Sequence, residues 1–247
     1  MSFAVRLSTH VWNPMGARRA LLLHGLGSDG TSWWRLASEL AETGYLVIAP
    51  DLRSHGASPT AVDHSVAALA EDVAALGEGW DLVVGHSLGG AIATLLLHRS
   101  PQPRAAVLVD PVLRLDATQR EPLRASQRAD VGHLDPDRIR AARPGWDERD
   151  VQRKVLAAAR VTPDVVDAVI DHNDPWDVTD LLRTAGVRVH LLAADPACGG
   201  LLAPDLASAL ADGDRVSAEV VDGCGHSIHR ERPDVVGAAI ERVTARG

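Results

Sequence analysis

Residues 83–91 read VVGHSLGGA, an apolar run of strand length that turns at Ser87 and continues with helix-forming residues. Its central part, GHSLG, matches G-x-S-x-G in the strand-to-helix context in which that pattern holds a nucleophile. A turn this tight strains its central residue, and Gly85 and Gly89 remove side chains that would collide there. A glycine turn without a chemical role is the alternative. The context favours Ser87 as a nucleophile at the positive end of a helix.

A serine hydroxyl is a weak nucleophile, so it needs a base, and the base needs an acid that orients it. His226 is the predicted base because it lies in GCGHSIHRERP, a glycine-flanked loop between the last strand-like run and the last helical pattern. His229 lies closer to the start of that helix and is therefore a poorer candidate.

Two carboxylates compete for the role of the acid. Asp195 follows the run VRVHLLAA and keeps the chain order Ser, Asp, His. Asp110 ends the run AAVLVD, and a carboxylate in such a place is also typical of a helix cap or a turn. The sequence favours Asp195 and leaves Asp110 as the alternative acid.

The reaction also needs hydrogen-bond donors for the negative charge that develops on the reacting oxygen. The stretch LLLHGLGSDG at 21–30 places Gly25, Leu26 and Gly27 directly after a buried strand, where a backbone N–H can point into the site. The N–H of Leu88, at the start of the helix, would be the second donor. A plain turn is the alternative interpretation of the first stretch.

Apolar runs of strand length recur along the chain and alternate with segments of helical periodicity. The runs are continuously apolar, which is typical of parallel strands buried on both faces. Strands and helices in alternation predict a doubly wound α/β fold. The predicted strands lie at 20–24, 45–49, 81–85, 105–110, 187–194 and 217–222.

The segment from Pro111 to about Asp180 interrupts this rhythm. It is rich in Arg, Asp, Pro and Ala, with helical pieces and no convincing strand. It is far longer than the ~2–6 residues that usually join a strand to a helix. We therefore predict a core in two parts, 1–110 and 181–247, with an inserted helical cap over 111–180 that lies across the carboxyl edge of the sheet. A long decorated surface loop is the alternative.

Composition and charge limit the classes of function. The chain has 247 residues, 46% of them hydrophobic, and a formal net charge of −8. An acidic protein does not attract phosphate backbones or anionic lipids, so we expect neither nucleic acid nor a membrane as partner. The chain shows no signal-peptide pattern and no run of ~20 apolar residues. With two cysteines, which fit a reducing compartment, it is expected to be cytoplasmic.

Four stretches together resemble the α/β-hydrolase fold superfamily: HGLGSDGTSW, APDLRSHGAS, VVGHSLGGA and GCGHSIHRERP. Similarity to its capped serine esterases and lactonases implies a mainly parallel eight-stranded sheet, a helical cap after the sixth strand, and no cofactor. The resemblance also implies the roles of four residues: Ser87 as nucleophile, His226 as base, and the N–H groups of Leu26 and Leu88 as the oxyanion hole.

The chain departs from the superfamily at the acid. The usual pattern is a strand, a Gly and, about three residues later, an Asp before a Pro. Here LLAADPACGGLLAP has Ala in place of that Gly and a longer loop after Asp195. Asp110 therefore stays the alternative candidate for the acid. In APDLRSHGAS, Asp51 and Arg53 are interpreted as structural residues that brace the loop below the site.

These motifs predict a cofactor-free serine hydrolase that cleaves an ester, lactone or related acyl bond of a small, largely apolar molecule through an acyl-enzyme. Trp34, Trp146 and Trp176 are predicted to wall an apolar substrate pocket, with ordinary core or cap packing as the alternative.

No metal is expected, and the expected partner is a small-molecule substrate, with a homodimer left open. A carbon–carbon bond hydrolase or a peroxidase-like enzyme on the same triad is an alternative. A ligand receptor with a vestigial hydrolase site is an alternative from another class.

Overall fold

The computed structural model describes residues 4–211 and 213–245, which contain nine β-strands. They are β1 (Thr9–Trp12), β2 (Arg18–Leu23), β3 (Tyr45–Pro50), β4 (Leu82–His86), β5 (Ala105–Val109), β6 (Arg114–Leu115), β7 (Trp176–Asp177), β8 (Arg188–Ala194) and β9 (Val216–Val221). Seven of them form one sheet in the order β1-β3-β2-β4-β5-β8-β9, while β6 pairs with β7. All neighbours in the large sheet run parallel except β1, which pairs antiparallel with β3.

All six predicted strands are present, with ends displaced by at most two residues. The strand β1 was not predicted, because its residues alternate between exposed and half-buried and form no continuous apolar run. The expected eighth strand is not among the described residues, since the chain before β2 supplies a single strand. For the same reason the long helical segment follows the fifth strand along the chain and not the sixth. The doubly wound α/β fold is confirmed, with seven strands in place of eight.

Eleven helices flank the sheet or form the segment between β6 and β7 in the described part of the chain. Their bounds are α1 (Trp34–Glu42), α2 (Val66–Ala74), α3 (Leu88–Leu96), α4 (Ala117–Ala129), α5 (Pro136–Ala142), α6 (Glu148–Ala158), α7 (Pro163–Asp171), α8 (Thr179–Arg183), α9 (Pro204–Leu210), α10 (Ile228–Glu231) and α11 (Pro233–Thr244). None of these helices is long and apolar enough to cross a membrane.

The large sheet is buried on both faces, because successive residues of a strand point to opposite faces. On β2, Leu21 and Leu23 pack into one hydrophobic cluster with α2 and α3. Ala20 and Leu22, from the same strand, pack into a second cluster with α1 and α11. Two helical layers therefore cover the sheet, and this explains why the strands read as uninterrupted apolar runs.

The segment predicted as a cap, 111–180, contains α4 to α7 and a two-stranded ribbon that sequence reasoning missed. In the ribbon, Arg114 pairs with Asp177 and Leu115 pairs with Trp176, so the two ends of the segment meet. Two residues per strand are too few to produce a strand pattern in the sequence. A small hydrophobic cluster of its own lies within the segment: Val131, Val161, Val166 and Ile170. The division at 111–180 stays a prediction.

Candidate active site

Ser87 occupies the turn between β4 and α3, with backbone angles φ 54° and ψ −118°. A positive φ is strained for a residue that carries a side chain, and such strain persists only where the surroundings hold it. The Ser87 N–H donates to the carbonyl of Val109 at 3.1 Å, and its carbonyl accepts from the N–H groups of Gly90 and Val112 at 2.9 and 3.2 Å. These bonds tie the turn to β5 and to the first turn of α3.

The glycines on either side of Ser87 are required by close backbone contacts. A Cβ at Gly89 would lie 2.3 Å from the carbonyl oxygen of Leu23, and a Cβ at Gly85 would lie 2.4 Å from the carbonyl oxygen of Gly89. Both distances are well below van der Waals contact, and the atoms concerned belong to the backbone. The glycines therefore let β2, β4 and α3 approach closely enough to form the turn.

We expect Gly89→Ala to lower the free energy of unfolding by about 1–3 kcal/mol, because the new methyl group forces the backbone of β2 and α3 apart. The matched control is Gly237→Ala, since a Cβ at Gly237 in α11 meets no atom within 4 Å. Alanine there should stabilise the helix by up to about 1 kcal/mol. Urea unfolding of both variants measures the difference, and equal stability of the two would contradict the packing argument.

The alternative acid, Asp110, holds the imidazole of His226. The Nδ1 of His226 donates to Oδ2 of Asp110 at 2.6 Å. Asp110 follows β5 and is fully buried. Its carboxylate also accepts hydrogen bonds from three backbone N–H groups at 2.8–3.1 Å, those of Ala194, Leu201 and Leu202. Four hydrogen bonds compensate for the burial of this carboxylate and fix its position against the ring.

Asp195, the acid that the sequence favoured, does not contact His226. It follows β8, and its carboxylate accepts from the backbone N–H groups of Ala197 at 2.8 Å and Gly223 at 2.9 Å. Hydrogen bonds from Gly223 and Ala197 lower the pKa of this carboxyl. The expected contact of Asp195 with His226 is therefore wrong, and the geometry favours Asp110, whose role as the acid stays a proposal. The strands β5 and β8 are neighbours and each is followed by an Asp, and either residue satisfies the order Ser, Asp, His.

The ring of His86 packs between the rings of two other histidines, His226 and His229. The ring of His86 lies with its centroid 4.5 Å from the rings of both His226 and His229. The Nε2 of His86 donates to the carbonyl of His226 at 3.0 Å, which holds the backbone of the loop. Burial lowers the pKa of both His86 and His229 well below the usual value, so both rings are neutral near pH 7. Sequence reasoning missed this role of His86, for which the adjacency to Ser87 was the available signal.

The loop after β2 that carries Leu26 is held by His24. The Nε2 of His24 accepts from the N–H of Leu52 at 2.9 Å, which places the ring proton on Nδ1. From there it donates to the carbonyl of Gly25 at 2.8 Å. Burial lowers the pKa of His24, so the neutral ring keeps this tautomer. The histidine of the HGLG stretch therefore fixes the peptide that precedes Leu26.

The stretch APDLRSHGAS braces the same loop from the other side. The Nε2 of His55 accepts from the N–H of Gly27 at 3.3 Å, and its Nδ1 donates to the carbonyl of Arg53 at 2.9 Å. Burial lowers the pKa of His55 to about 3. The carboxylate of Asp51 accepts from the N–H of Gly30 at 2.9 Å. These contacts agree with the structural interpretation of Asp51 and Arg53.

The two residues predicted to supply oxyanion donors lie close to Ser87. Leu26 lines the same cavity as Ser87. Leu88 is the first residue of α3, where N–H groups lack partners within the helix. A Cβ on Gly25 would lie 2.9 Å from the Cβ of Ser87, so the loop of Leu26 runs directly past the serine. The role of the two N–H groups stays a prediction.

A cavity of about 80 Å³ has Ser87 and His226 in its lining. The core supplies Leu26, Ser28, His86, Ser227, His229 and Arg230, and the segment 111–180 supplies Gln127, Asp130, Arg143, Trp146 and Lys154. The cavity therefore lies where that segment meets the carboxyl edge of the sheet. This is the place where open α/β sheets bind their ligands.

The three tryptophans predicted to wall a substrate pocket occupy different environments. Trp146 lines the cavity. Trp34 does not, and its Nε1 donates to Oδ1 of Asp150 at 3.0 Å. Trp176 does not line it either, because it is buried in the core with its Nε1 bonded to the carbonyl of Val112 at 2.9 Å. The prediction is corrected for Trp34 and Trp176, which show the packing that was the alternative.

The lining of the cavity is polar and cationic, which departs from the apolar substrate that we expected. The lining contains three cationic side chains, Arg143, Lys154 and Arg230, and one carboxylate, that of Asp130. Burial lowers the pKa of Lys154 to about 8. Among residues 4–211 and 213–245, no group of three or more His, Cys, Asp or Glu side chains is arranged to hold a metal ion.

Comparison with known proteins places this chain in a family. Residues 20–239 match the model of the alpha/beta hydrolase family. The chain is 31% identical over 264 aligned positions to lipase LipV of Mycobacterium tuberculosis, an alignment that covers 96% of this chain and 97% of that protein.

Solved structures with low identity to the chain support the fold. An E-2-(acetamidomethylene)succinate hydrolase matches with a TM-score of 0.83 and 18% identity, covering 98% of each chain. An esterase from Exiguobacterium antarcticum matches with a TM-score of 0.76 and 16% identity, covering 99% of this chain and 100% of that one. The family model and the lipase relative show that the chain belongs to the alpha/beta hydrolase family and is a hydrolase.

Proposed function

We propose that this hydrolase cleaves an ester, lactone or related acyl bond of a small molecule through a serine acyl-enzyme. The observation that carries the proposal is the presence of Ser87 and His226 in the lining of one cavity, with the buried Asp110 2.6 Å from the His226 ring. The lipase among the relatives of the chain supports the ester class. The strained turn at Ser87 is the conformation that presents a nucleophile in this architecture.

In the proposed reaction, Asp110 keeps a proton on Nδ1 of His226 and leaves Nε2 free to accept another. The Oγ of Ser87 attacks the carbonyl carbon while its proton passes to Nε2. The bond from that carbon to the leaving alkoxy oxygen then breaks, and His226 returns the proton to the alcohol. A water molecule next gives a proton to His226 and attacks the acyl carbon. Ser87 leaves with that proton, and the carboxylic acid is released.

The negative charge on the reacting oxygen would be stabilised by the N–H groups of Leu26 and Leu88. Such donors are effective when they are oriented before the reaction begins. The loop of Leu26 accepts a hydrogen bond from His24 and donates one to His55, and these bonds supply that orientation in this chain. Removal of one such donor typically costs ~10²–10³-fold in turnover.

Labelling with a fluorophosphonate probe tests the proposal. We expect one equivalent of probe to attach to Ser87, because the proposed mechanism activates the hydroxyl of this serine. Peptide mass spectrometry identifies the labelled residue. The matched control is Ser38→Ala, which removes an exposed hydroxyl from α1 and should be labelled as the wild type is. Turnover is then measured on a panel of short p-nitrophenyl esters, lactones and β-diketones.

Each outcome of this experiment separates one class of protein from the others. Labelling of Ser87 with turnover of esters or lactones supports the proposal. Labelling without turnover of any substrate favours a ligand receptor, and turnover of β-diketones alone favours a carbon–carbon bond hydrolase. Ester turnover that survives complete labelling of Ser87 would overturn the acyl-enzyme mechanism.

A further inference from the structure

Arg230 is a buried cation with no carboxylate at ion-pair distance among the described residues, and it lines the same cavity as Ser87. The carboxylates of Asp150, Asp29 and Asp130 act on it from farther away, and they raise its pKa against the larger lowering that burial causes. Its side chain is 5% exposed. Its Nη2 donates to the hydroxyl of Ser28 at 3.3 Å, and its guanidinium carbon lies 4.5 Å from the ring centroid of Trp146. Its Nε is buried without a hydrogen-bond partner. In the described part of the chain no carboxylate forms an ion pair with it, although a guanidinium remains charged and is costly to bury alone.

Lys154, on α6, is a second cation in the cavity lining that has no carboxylate at ion-pair distance in the part of the chain that the structure describes. Its ammonium donates to the backbone carbonyls of Gly27 at 3.2 Å and Asp130 at 2.9 Å. An ammonium has three N–H donors, so these two carbonyls leave one donor for another partner. Within residues 4–211 and 213–245, no carboxylate lies at ion-pair distance from this ammonium. Neutral carbonyls position the Lys154 head group, but they do not neutralise it.

The two cations converge on the cavity from different elements, α6 and α10. The remaining charged groups in the lining are Arg143, whose Nη1 lies 3.9 Å from Glu231, and the carboxylate of Asp130. The chain as a whole carries a net charge of −8, so this positive site is not part of a generally basic surface. A local excess of positive charge in an acidic protein indicates an anionic ligand.

We propose that the site selects substrates that carry a carboxylate a few bonds from the scissile acyl group, and that Arg230 and Lys154 bind this carboxylate. The inference rests on the proposed function, because it assigns the class of substrate for the same site. The planar fork of a guanidinium matches the two oxygens of a carboxylate. Lys154 lines the same cavity and has one N–H donor that the carbonyls of Gly27 and Asp130 do not use. The cavity is small, about 80 Å³, so substrates with a short acid chain are chosen for the test.

Two methyl esters of similar shape and different charge test the inference. In methyl hydrogen succinate the distal group is a carboxylate, and in methyl 4-oxopentanoate a methyl group replaces one oxygen of that carboxylate. We expect kcat/KM to be about 10- to 100-fold higher for the charged ester, from charge-assisted hydrogen bonds made only with the carboxylate. Methanol release measures both rates with the same leaving group.

Variants assign the preference to the two cations. Lys154→Gln is expected to lower kcat/KM for methyl hydrogen succinate about tenfold more than it lowers kcat/KM for the neutral ester. Arg230→Gln should abolish the preference, and Arg230→Lys should restore part of it. The matched control is Arg149→Gln, which removes an exposed cation on the same helix that does not line the cavity. It should leave the preference unchanged.

A binding measurement separates failure of this inference from failure of the proposed function. If the wild type hydrolyses both esters equally well, the carboxylate site is overturned and the hydrolase mechanism stands. If it hydrolyses neither, calorimetric titration with succinate decides. Succinate binding that Lys154→Gln weakens about tenfold or more supports the carboxylate site. The absence of binding, or equal binding by wild type and variant, overturns it. Lys154 is half-buried, so its substitution is expected to leave the protein folded. If the Arg230 variants do not fold, the Lys154→Gln variant alone therefore tests the carboxylate site.

Discussion

Replacement of Ser87 by alanine is expected to lower kcat for short p-nitrophenyl esters by about 10⁶-fold, since removal of the nucleophile of a serine hydrolase costs about this much. The proposed mechanism assigns covalent attack to the Oγ of Ser87, and no proton transfer by His226 replaces it. The turn should survive the substitution, because alanine carries the same Cβ as serine into the strained conformation at φ 54°. Release of p-nitrophenolate, measured against the uncatalysed rate, gives the loss.

The comparison variant for this experiment is Ser38→Ala. Its hydroxyl donates to the carbonyl of Trp34 at 2.8 Å on the surface of α1, away from the cavity, and its loss should leave kcat within about twofold of the wild type. Thermal unfolding and circular dichroism establish that both variants fold. Substantial ester hydrolysis by folded Ser87→Ala protein would overturn the assignment of the nucleophile.

The parts of the fold that the sequence predicts well are those encoded by local pattern. The apolar runs of β2, β4 and β5 are buried on both faces, so each produces an uninterrupted signal in a few residues. The turn at Ser87 is encoded by a short motif of consecutive residues, although the backbone that forbids a side chain at Gly89 belongs to Leu23 on the neighbouring strand β2. The motif and the strand prediction therefore support each other.

The choice between Asp110 and Asp195 depends on tertiary structure. Both follow neighbouring strands of the sheet, and the strand register places Val109 opposite Leu192. What separates the two carboxylates is the loop after β8, which folds back so that the N–H groups of Leu201 and Leu202 bind Asp110. No spacing in the sequence indicates where those two N–H groups will point.

The polar lining of the cavity could not be predicted from the sequence, for a related reason. A net charge of −8 describes the whole chain, whereas Arg230 and Lys154 come together from positions 76 residues apart (230 against 154). The tryptophans suggested an apolar pocket, but Trp176 packs into the core. Composition averages over the molecule, so it cannot report a local concentration of one sign of charge.

The second large effect is expected for Asp110→Asn, which should lower kcat/KM by about 10⁴-fold, the loss typical of an acid that no longer holds its histidine in the correct tautomer. The carboxylate of Asp110 accepts four hydrogen bonds, one of them from Nδ1 of His226. An asparagine amide has one oxygen and one NH₂ group. The NH₂ group faces either the donors that Oδ2 now accepts, from His226 and Leu201, or the N–H groups of Ala194 and Leu202 that Oδ1 accepts. Steady-state ester hydrolysis measures the loss.

Asp195→Asn is the matched control, because its side-chain oxygen can still accept from the N–H of Ala197, and kcat/KM should stay within about threefold of the wild type. Asp110 is fully buried, and an unpaired N–H there costs about 1–3 kcal/mol, so rates must be normalised to the folded fraction from unfolding curves. Once normalised, a large loss in Asp195→Asn with retained activity in Asp110→Asn would reverse the assignment of the acid. Full activity in both variants would mean that His226 is oriented without either carboxylate, which the hydrogen bond from His226 to Asp110 argues against.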